Sequence, residues 1–267
     1  MESTGEDPYL NSEFARAFVR GFQGDDLTND TERVAACVKH FAAYGAAEGG
    51  RDYNTVDMSE RQLRESYLPA YKAALDEGCE MVMTAFNTVD GIPATGNRWL
   101  MRDVLRDEMG FKGVLISDWG AVKEQIPHGV TADEKEAAEK AILAGVDIEM
   151  MTSCYAHHLQ NLIAEGTVEE RTIDEAVYRI LELKAKLGLF ENPYRGADVE
   201  REKEIILHET HRNAARELAT KSCVLLKNEK ILPLNRKKKI ALIGPFSESG
   251  DILGPWSWLG SKEQAVN

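Results

Sequence analysis

Four short apolar runs, separated by longer amphipathic segments, dominate the first part of the chain. They occupy residues 34–41, 80–87, 113–119 and 146–151, and their starts lie 33 to 46 residues apart. Nearly continuous apolar runs of this length are typical of parallel strands that are covered on both faces. Their alternation with helical segments indicates successive β/α units.

Helix signals occupy the segments between these runs. Capping-box patterns predict helix starts at Ser59, Thr131 and Thr172, each with Glu or Gln three residues later. Glycines stand where the predicted helices end, at Gly78, Gly110, Gly145, Gly166 and Gly188. The sequence therefore predicts a repeated succession of strand, loop and helix.

The pattern changes beyond Gly188. A turn-rich stretch over residues 191–196 has no hydrophobic periodicity. A polar helical segment at 208–221 and two strand-like runs, at 223–227 and 239–244, follow it. We therefore place a domain boundary near residue 195.

Four β/α units do not close the common eight-stranded barrel, which takes about 250 residues. The fold class is α/β. We predict that residues 1–195 form the C-terminal half of a (β/α)8 TIM-like barrel. Residues 196–220 would be a linker, and residues 221–267 the first strands of another domain.

The predicted strand ends carry polar side chains. The active sites of β/α barrels lie at the carboxyl ends of the strands. Here the ends read Lys39-His40-Phe41, then Phe86-Asn87, then Ser117-Asp118-Trp119, with Glu149 near the end of the fourth run. A cation, an imidazole, an amide, a carboxylate and an indole would therefore converge on one rim.

Asp118 is the first candidate for chemistry. An aspartate after a strand ordinarily caps the helix that follows, and that interpretation stays open here. However, the preceding apolar run brings this carboxylate to the rim, and Trp119 offers a flat apolar surface for a sugar ring. A carboxylate beside an aromatic platform suits glycoside chemistry.

Lys39, His40 and Arg51 are the accompanying candidates. A lone histidine at a strand end is more often structural, and adjacent Lys39 and His40 point to opposite faces of a strand. Both side chains can donate to sugar hydroxyls. Arg51 follows a Gly49-Gly50 turn and carries a planar donor suited to vicinal hydroxyls.

At this point the motifs resemble glycoside hydrolase family 3, most closely its bacterial β-glucosidase branch. The resemblance covers nearly the whole chain. It rests on Gly5-Glu6-Asp7-Pro8, Lys39-His40-Phe41, Tyr67-Leu68-Pro69-Ala70-Tyr71, Asn97-Arg98-Trp99-Leu100, Gly110-Phe111-Lys112-Gly113, Ser117-Asp118-Trp119, Gly188-Leu189-Phe190, Val224-Leu225-Leu226-Lys227-Asn228 and Leu232-Pro233-Leu234.

The resemblance implies a retaining β-glucosidase that works by double displacement, with Asp118 attacking the anomeric carbon. It implies that Lys39, His40 and Arg51 hold hydroxyls of the terminal sugar. The role of each of these residues is carried over from the family.

Three further positions match the family's substrate site. Met83 corresponds to a pocket-lining position, and Trp119 to one that borders the aglycone side. Phe86 stands where a tyrosine is usual, so the hydroxyl that would position the carboxylate is absent. The loop after His40 lacks the Asp-His pair of the family's N-acetylglucosaminidases, which disfavours that activity.

The resemblance also implies which parts of the enzyme lie outside this sequence. Four barrel strands would precede the chain, and residues 221–267 would begin an α/β sandwich domain. The acid/base glutamate would lie beyond Asn267, so we assign that role to no glutamate present.

The composition restricts the classes of molecule that the chain is expected to bind. The formal charge of −13 argues against nucleic acid and anionic membranes. Neither a metal motif nor a cofactor motif is visible, so we expect neither a metal nor a cofactor. We expect a β-linked oligosaccharide or glucoside as substrate, and association through exposed half-barrel edges. The compartment stays open between cytoplasm and periplasm.

Two alternatives to the glycosidase hypothesis stay open from the residues alone. A barrel lyase would use Lys39 as a Schiff-base amine, although the charged rim favours the protonated lysine. A non-catalytic or partner-dependent fragment is the other alternative. Borohydride trapping would distinguish the lyase, and size-exclusion chromatography would reveal partner dependence.

Overall fold

The computed structural model describes residues 4–250 and 253. The chain divides into two units on either side of the bond between Asp198 and Val199. The sequence-based boundaries at residues 195 and 220 stay predictions.

The described residues contain six strands in two small sheets. The strands are β1 (Cys37–Phe41), β2 (Thr55–Val56), β3 (Met81–Thr84), β4 (Thr88–Val89), β5 (Ile92–Pro93) and β6 (Val114–Ile116). One sheet is parallel, with the order β1-β3-β6, and the other has the order β2-β4-β5. The mixed α/β character predicted from the sequence is confirmed.

The parallel sheet follows the chain order of the predicted strands. Each neighbour in the sheet is the next apolar run in sequence, so successive units lie side by side. A parallel bridge between Ile116 and Ile148 adds the fourth run at the β6 edge. The carboxyl ends of all four runs therefore lie along one edge of the sheet.

The fourth run forms this single bridge and not the predicted strand over 146–151. The Asp147 side chain explains the difference, because its Oδ2 accepts the Leu115 N–H at 2.8 Å. Leu115 O in turn accepts from the backbone N–H groups of both Asp147 and Ile148. A carboxylate thus occupies the position of a backbone acceptor, and the regular ladder stops.

Helices separate the strands. In the first unit they are α1 (Pro8–Gln23), α2 (Glu60–Gln62), α3 (Pro69–Asp76), α4 (Glu134–Ala144), α5 (Cys154–Ala164) and α6 (Glu170–Lys186), with π-helical turns at Leu63–Tyr67 and Trp99–Glu108. The cap at Ser59 is confirmed, since its side chain accepts from Gln62 N.

Two predicted helix starts are displaced. At α4 the N-cap is Asp133, which accepts from Glu136 N, and not Thr131. The Glu136 carboxylate accepts from Ala132 N, the residue before this N-cap, at 2.7 Å, so a variant of the predicted capping pattern begins two residues later. Thr172 lies inside α6, which begins at Glu170.

A buried ion network joins the helices to the parallel sheet. The Asp147 side chain is fully buried and contacts Arg106 Nη2 at 2.8 Å and Arg179 Nη2 at 2.7 Å. Burial lowers the pKa of Arg106 to about 10, against the opposing effect of Asp147. The network therefore ties the Trp99–Glu108 segment, α6 and the β6 edge together.

The second unit contains α7 (Val199–Ile205) and α8 (Glu209–Lys221). The predicted helix at 208–221 is confirmed, with His208 as its N-cap. The strand-like runs at 223–227 and 239–244 form no strands in the described part of this unit, and Leu226 is 92% exposed. A strand requires hydrogen bonds to a neighbouring strand, which these runs lack here.

Across residues 4–250 and 253, the helices are too short or too polar to cross a bilayer.

Candidate functional site

The loop after β6 places Asp118 at the carboxyl edge of the parallel sheet. Asp118 N donates to Thr84 Oγ1 at 3.4 Å, and this hydroxyl lies 2.7 Å from Thr95 Oγ1. Ser117 N donates to Ile148 O at 2.9 Å. The backbone of Asp118 is therefore held between β3 and the fourth run.

The Asp118 carboxylate has two unequal oxygens. Oδ1 accepts from Trp119 N at 2.6 Å. Oδ2 lies 3.3 Å from His40 Nε2, but this pair lacks the alignment of a hydrogen bond. No other described residue donates to the buried Oδ2, and Asp118 is only 7% exposed. An oxygen buried without a donor costs stability and is available to a ligand.

A second set of hydrogen bonds holds the loop that carries Trp119. Ser117 Oγ donates to Asp118 O at 3.0 Å and accepts from Met150 N at 2.9 Å. Gly120 N donates to Met150 O at 3.0 Å. The Trp119 residue, 50% exposed, therefore stands beside Asp118 on a fixed backbone.

Aromatic rings form a continuous wall beside this carboxylate. The His40 ring lies 5.1 Å from that of Tyr44, and Tyr44 lies 6.0 Å from Phe86. At the far end of this series, the Tyr53 ring lies 4.3 Å from the Phe86 ring. The rings therefore link the end of β1 to the loop that contains Tyr53.

An acidic residue anchors this wall. Tyr44 donates its hydroxyl to Asp52 Oδ1. Burial, followed by this hydrogen bond and the charge of Asp52, raises the pKa of Tyr44. Tyr44 is thus a neutral donor at physiological pH, and its hydroxyl is committed to the loop.

Met83, Lys39 and Arg51 are the remaining candidates from the sequence. Met83 is half-buried in β3 and pairs in register with Ile116. Lys39 is exposed on β1, one residue before the half-buried His40. Arg51 is exposed directly before Asp52 in the loop. The structure therefore brings His40, Asp118 and Trp119 together, with Phe86 joined to them through Tyr44.

Glu149, on the predicted rim, has a structural role. Its carboxylate accepts from Cys154 N at 2.9 Å, from Tyr155 N at 2.7 Å and from the Thr152 hydroxyl. It therefore caps the start of α5 and is committed there.

Sequence reasoning missed Tyr44, Asp52, Tyr53 and Glu124. The first three lie in the loop that follows β1, where the run of glycines drew attention only to Arg51. Glu124 lies in the turn Lys123–Gln125 after the Asp118 loop, and no local pattern marks it. Contacts between separate segments, not local spacing, place these residues at the site.

Metal ligands are not grouped in the part of the chain that is described. No set of three or more His, Cys, Asp or Glu side chains there is arranged to hold an ion.

The fold and the rim define an α/β protein with a buried carboxylate, an imidazole and aromatic rings at the carboxyl edge of a parallel sheet. Comparison with known proteins specifies this class further. The Glycosyl hydrolase family 3 N terminal domain matches residues 1–183. The chain belongs to glycosyl hydrolase family 3, which confirms the resemblance seen in its motifs.

Individual relatives agree with this family. A periplasmic beta-glucosidase of Salmonella typhimurium is 44% identical over 99% of the chain. A beta-xylosidase of Formosa agariphila is 38% identical over 91% of the chain. The chain spans 35% of the length of each of these relatives.

The chain is similar to solved structures in its fold as well as in its sequence. The beta-glucosidase of Listeria innocua, in a complex with isofagomine, matches with a TM-score of 0.92 at 57% identity. The match covers the whole of this chain and 38% of that one. The bacterial β-glucosidase branch is therefore supported by both sequence and structure.

Proposed function

We propose that this chain supplies the nucleophile half of a retaining β-glycosidase that removes terminal, non-reducing β-D-glucosyl residues. Asp118 is the nucleophile. The observation that carries the proposal is the buried Asp118 carboxylate, whose Oδ2 accepts no hydrogen bond from the described residues although His40 lies 3.3 Å away.

The two oxygens of Asp118 would have different tasks. Oδ1 is held by Trp119 N, which fixes the orientation of the carboxylate. Oδ2 would attack the anomeric carbon and form a glycosyl ester. The glycosidic oxygen would leave with a proton from a general acid that is none of the residues given a role here. Water then hydrolyses the ester, so that two inversions give overall retention.

The surrounding side chains would bind the terminal sugar. Lys39, His40 and Arg51 are donors to its hydroxyls, and Met83 and Phe86 line the pocket. Trp119 borders the leaving-group side because half of this residue is exposed at the edge of the site.

The fold of the complete enzyme belongs to the same proposal. Residues 1–195 would be the C-terminal half of a (β/α)8 barrel, supported by the parallel order of β1, β3, β6 and the Ile148 bridge. Residues 196–220 would link it to the first strands of an α/β sandwich at 221–267. The remainder of the barrel and the acid/base glutamate would come from segments matching the rest of the relatives' length, or from an associating partner.

The comparisons do not favour the alternatives. Relatives of this chain are named beta-glucosidase and beta-xylosidase, and both names describe hydrolysis of glycosides and not Schiff-base chemistry. The two beta-glucosidases named above are 44% and 57% identical to the chain and the beta-xylosidase is 38% identical, which supports glucose over xylose in the terminal position.

The stereochemistry of the first product tests this function. The chain would replace the matching segment of Listeria innocua β-glucosidase, giving a chimera that contains a complete enzyme. We expect proton NMR to detect β-glucose before mutarotation when the chimera hydrolyses an aryl β-glucoside. Initial appearance of α-glucose would contradict a double displacement.

A further inference from the structure

Glu124 lies one turn beyond the proposed nucleophile loop and folds back toward it. Its backbone N–H donates to Gly120 O at 3.0 Å. Its Oε1 lies 4.0 Å from the position that a Cβ would take on Gly120. Gly120 has a φ of 72°, so the chain turns sharply between Trp119 and Glu124.

One of the two oxygens of the Glu124 carboxyl has unused hydrogen-bonding capacity within the described part of the chain. Its Oε2 is buried and has no hydrogen-bond donor among the described residues. The neighbouring cation, Lys123, forms its ion pair with Glu134 at 2.6 Å. A carboxylate oxygen in this state has unused capacity to accept a hydrogen bond.

The surroundings of Glu124 place it at the proposed site. Burial and then the charge of Asp118 raise the pKa of Glu124. Burial raises the pKa of Tyr53, and the charge of Glu124 is the next cause. Glu124 is therefore within electrostatic reach of both Asp118 and the ring that packs on Phe86.

Asp118 has different neighbours on its two sides. His40 and Tyr44 come from the half-buried end of β1 and its loop. Trp119 and Glu124 come from the segment after Asp118, and Trp119 is half exposed. A terminal sugar enclosed on the β1 side would direct its leaving group toward the exposed side.

We propose that Glu124 accepts a hydrogen bond from a hydroxyl of the leaving-group sugar and so favours glycosides whose aglycone is itself a sugar. This inference rests on the proposed function. Trp119 would pack against the apolar face of that sugar, and Glu124 would select its hydroxyl pattern. The residue is a specificity residue and takes no part in bond cleavage.

The test compares two substrates in the Listeria chimera. Laminaribiose offers hydroxyls on the leaving group, whereas 2,4-dinitrophenyl β-glucoside offers none. We expect Glu124→Ala to lower kcat/KM for laminaribiose by about 10- to 100-fold, the range expected for one hydrogen bond to a charged group. The aryl glucoside should change by less than about threefold, because its leaving group makes no such bond.

Matched variants separate recognition from folding. Glu124→Gln retains an acceptor oxygen and should lose less than Glu124→Ala on the disaccharide. Glu182→Ala, an exposed change on α6, should leave both substrates unaffected. Equal losses on the two substrates, or no loss on either, would overturn the inference. An unmodified chimera that hydrolysed neither substrate would instead refute the proposed function itself.

Discussion

Replacing Asp118 with asparagine is expected to lower kcat of the Listeria chimera on 2,4-dinitrophenyl β-glucoside by about 10⁴-fold or more, as losses of covalent nucleophiles do. The amide keeps an acceptor for Trp119 N but does not attack an anomeric carbon. This leaving group departs without protonation, so the loss reports on the nucleophile and not on the acid. Steady-state release of dinitrophenolate measures it.

A matched control and a chemical rescue sharpen this prediction. Asp107→Asn makes the same change at an exposed position of the Trp99–Glu108 segment and should retain full activity. Asp118→Ala leaves space for azide, which should restore turnover and give the α-glucosyl azide. An Asp118→Asn variant within about tenfold of the parent would contradict the assignment, since such a loss is that of a positioning contact.

The second large effect concerns stability. Asp147→Ala is expected to lower the free energy of unfolding of the first unit by about 3–5 kcal/mol, the usual cost of removing one partner from a buried ion pair. Arg106 and Arg179 would remain buried without their shared carboxylate, and the Leu115 N–H would lose its acceptor. Urea unfolding of the chain, followed by circular dichroism, measures the change.

Asp107→Ala again provides the control, because an exposed substitution usually changes stability by less than about 0.5 kcal/mol. If both variants unfolded at the same urea concentration, the buried network would not hold the helices to the sheet. A variant Asp147→Ala that does not fold at all agrees with the prediction, provided that Asp107→Ala folds.

The sheet edge that carries Asp118 and His40 was predictable because strand ends are local features. The apolar run before Asp118 and the run before His40 determine that both residues lie at one sheet edge, and their proximity follows from the parallel order. Lys39 is exposed whereas His40 lies 3.3 Å from Asp118, in the part of β1 where the register with β3 is irregular.

Features that depend on distant partners were not predictable in this way. Asp147 binds arginines from two other helical segments, and its carboxylate interrupts the fourth strand. Glu149 lies on the rim as expected, but three nearby donors commit it to capping α5. The apolar runs at 223–227 and 239–244 have strand-like sequences. Such runs form strands only beside a neighbouring strand that shares their backbone hydrogen bonds.

The wall beside Asp118 shows the same limit. Tyr44, Tyr53 and Phe86 come from two different connections, and no spacing in the sequence joins them. The resemblance to the family implies that a hydroxyl is usual at the position of Phe86, which has none. Tyr44 packs against Phe86 but donates its hydroxyl to Asp52, so it does not replace that group.

The most direct test of the central claim is intact-mass spectrometry after incubation with 2,4-dinitrophenyl 2-deoxy-2-fluoro-β-glucoside. The fluorine slows hydrolysis of the ester, and the leaving group needs no acid. We predict one fluoroglucosyl residue per Listeria chimera, located on Asp118 by peptide mapping and absent from Asp118→Asn. A chimera that turns over glucosides yet carries its label on another residue would contradict the account.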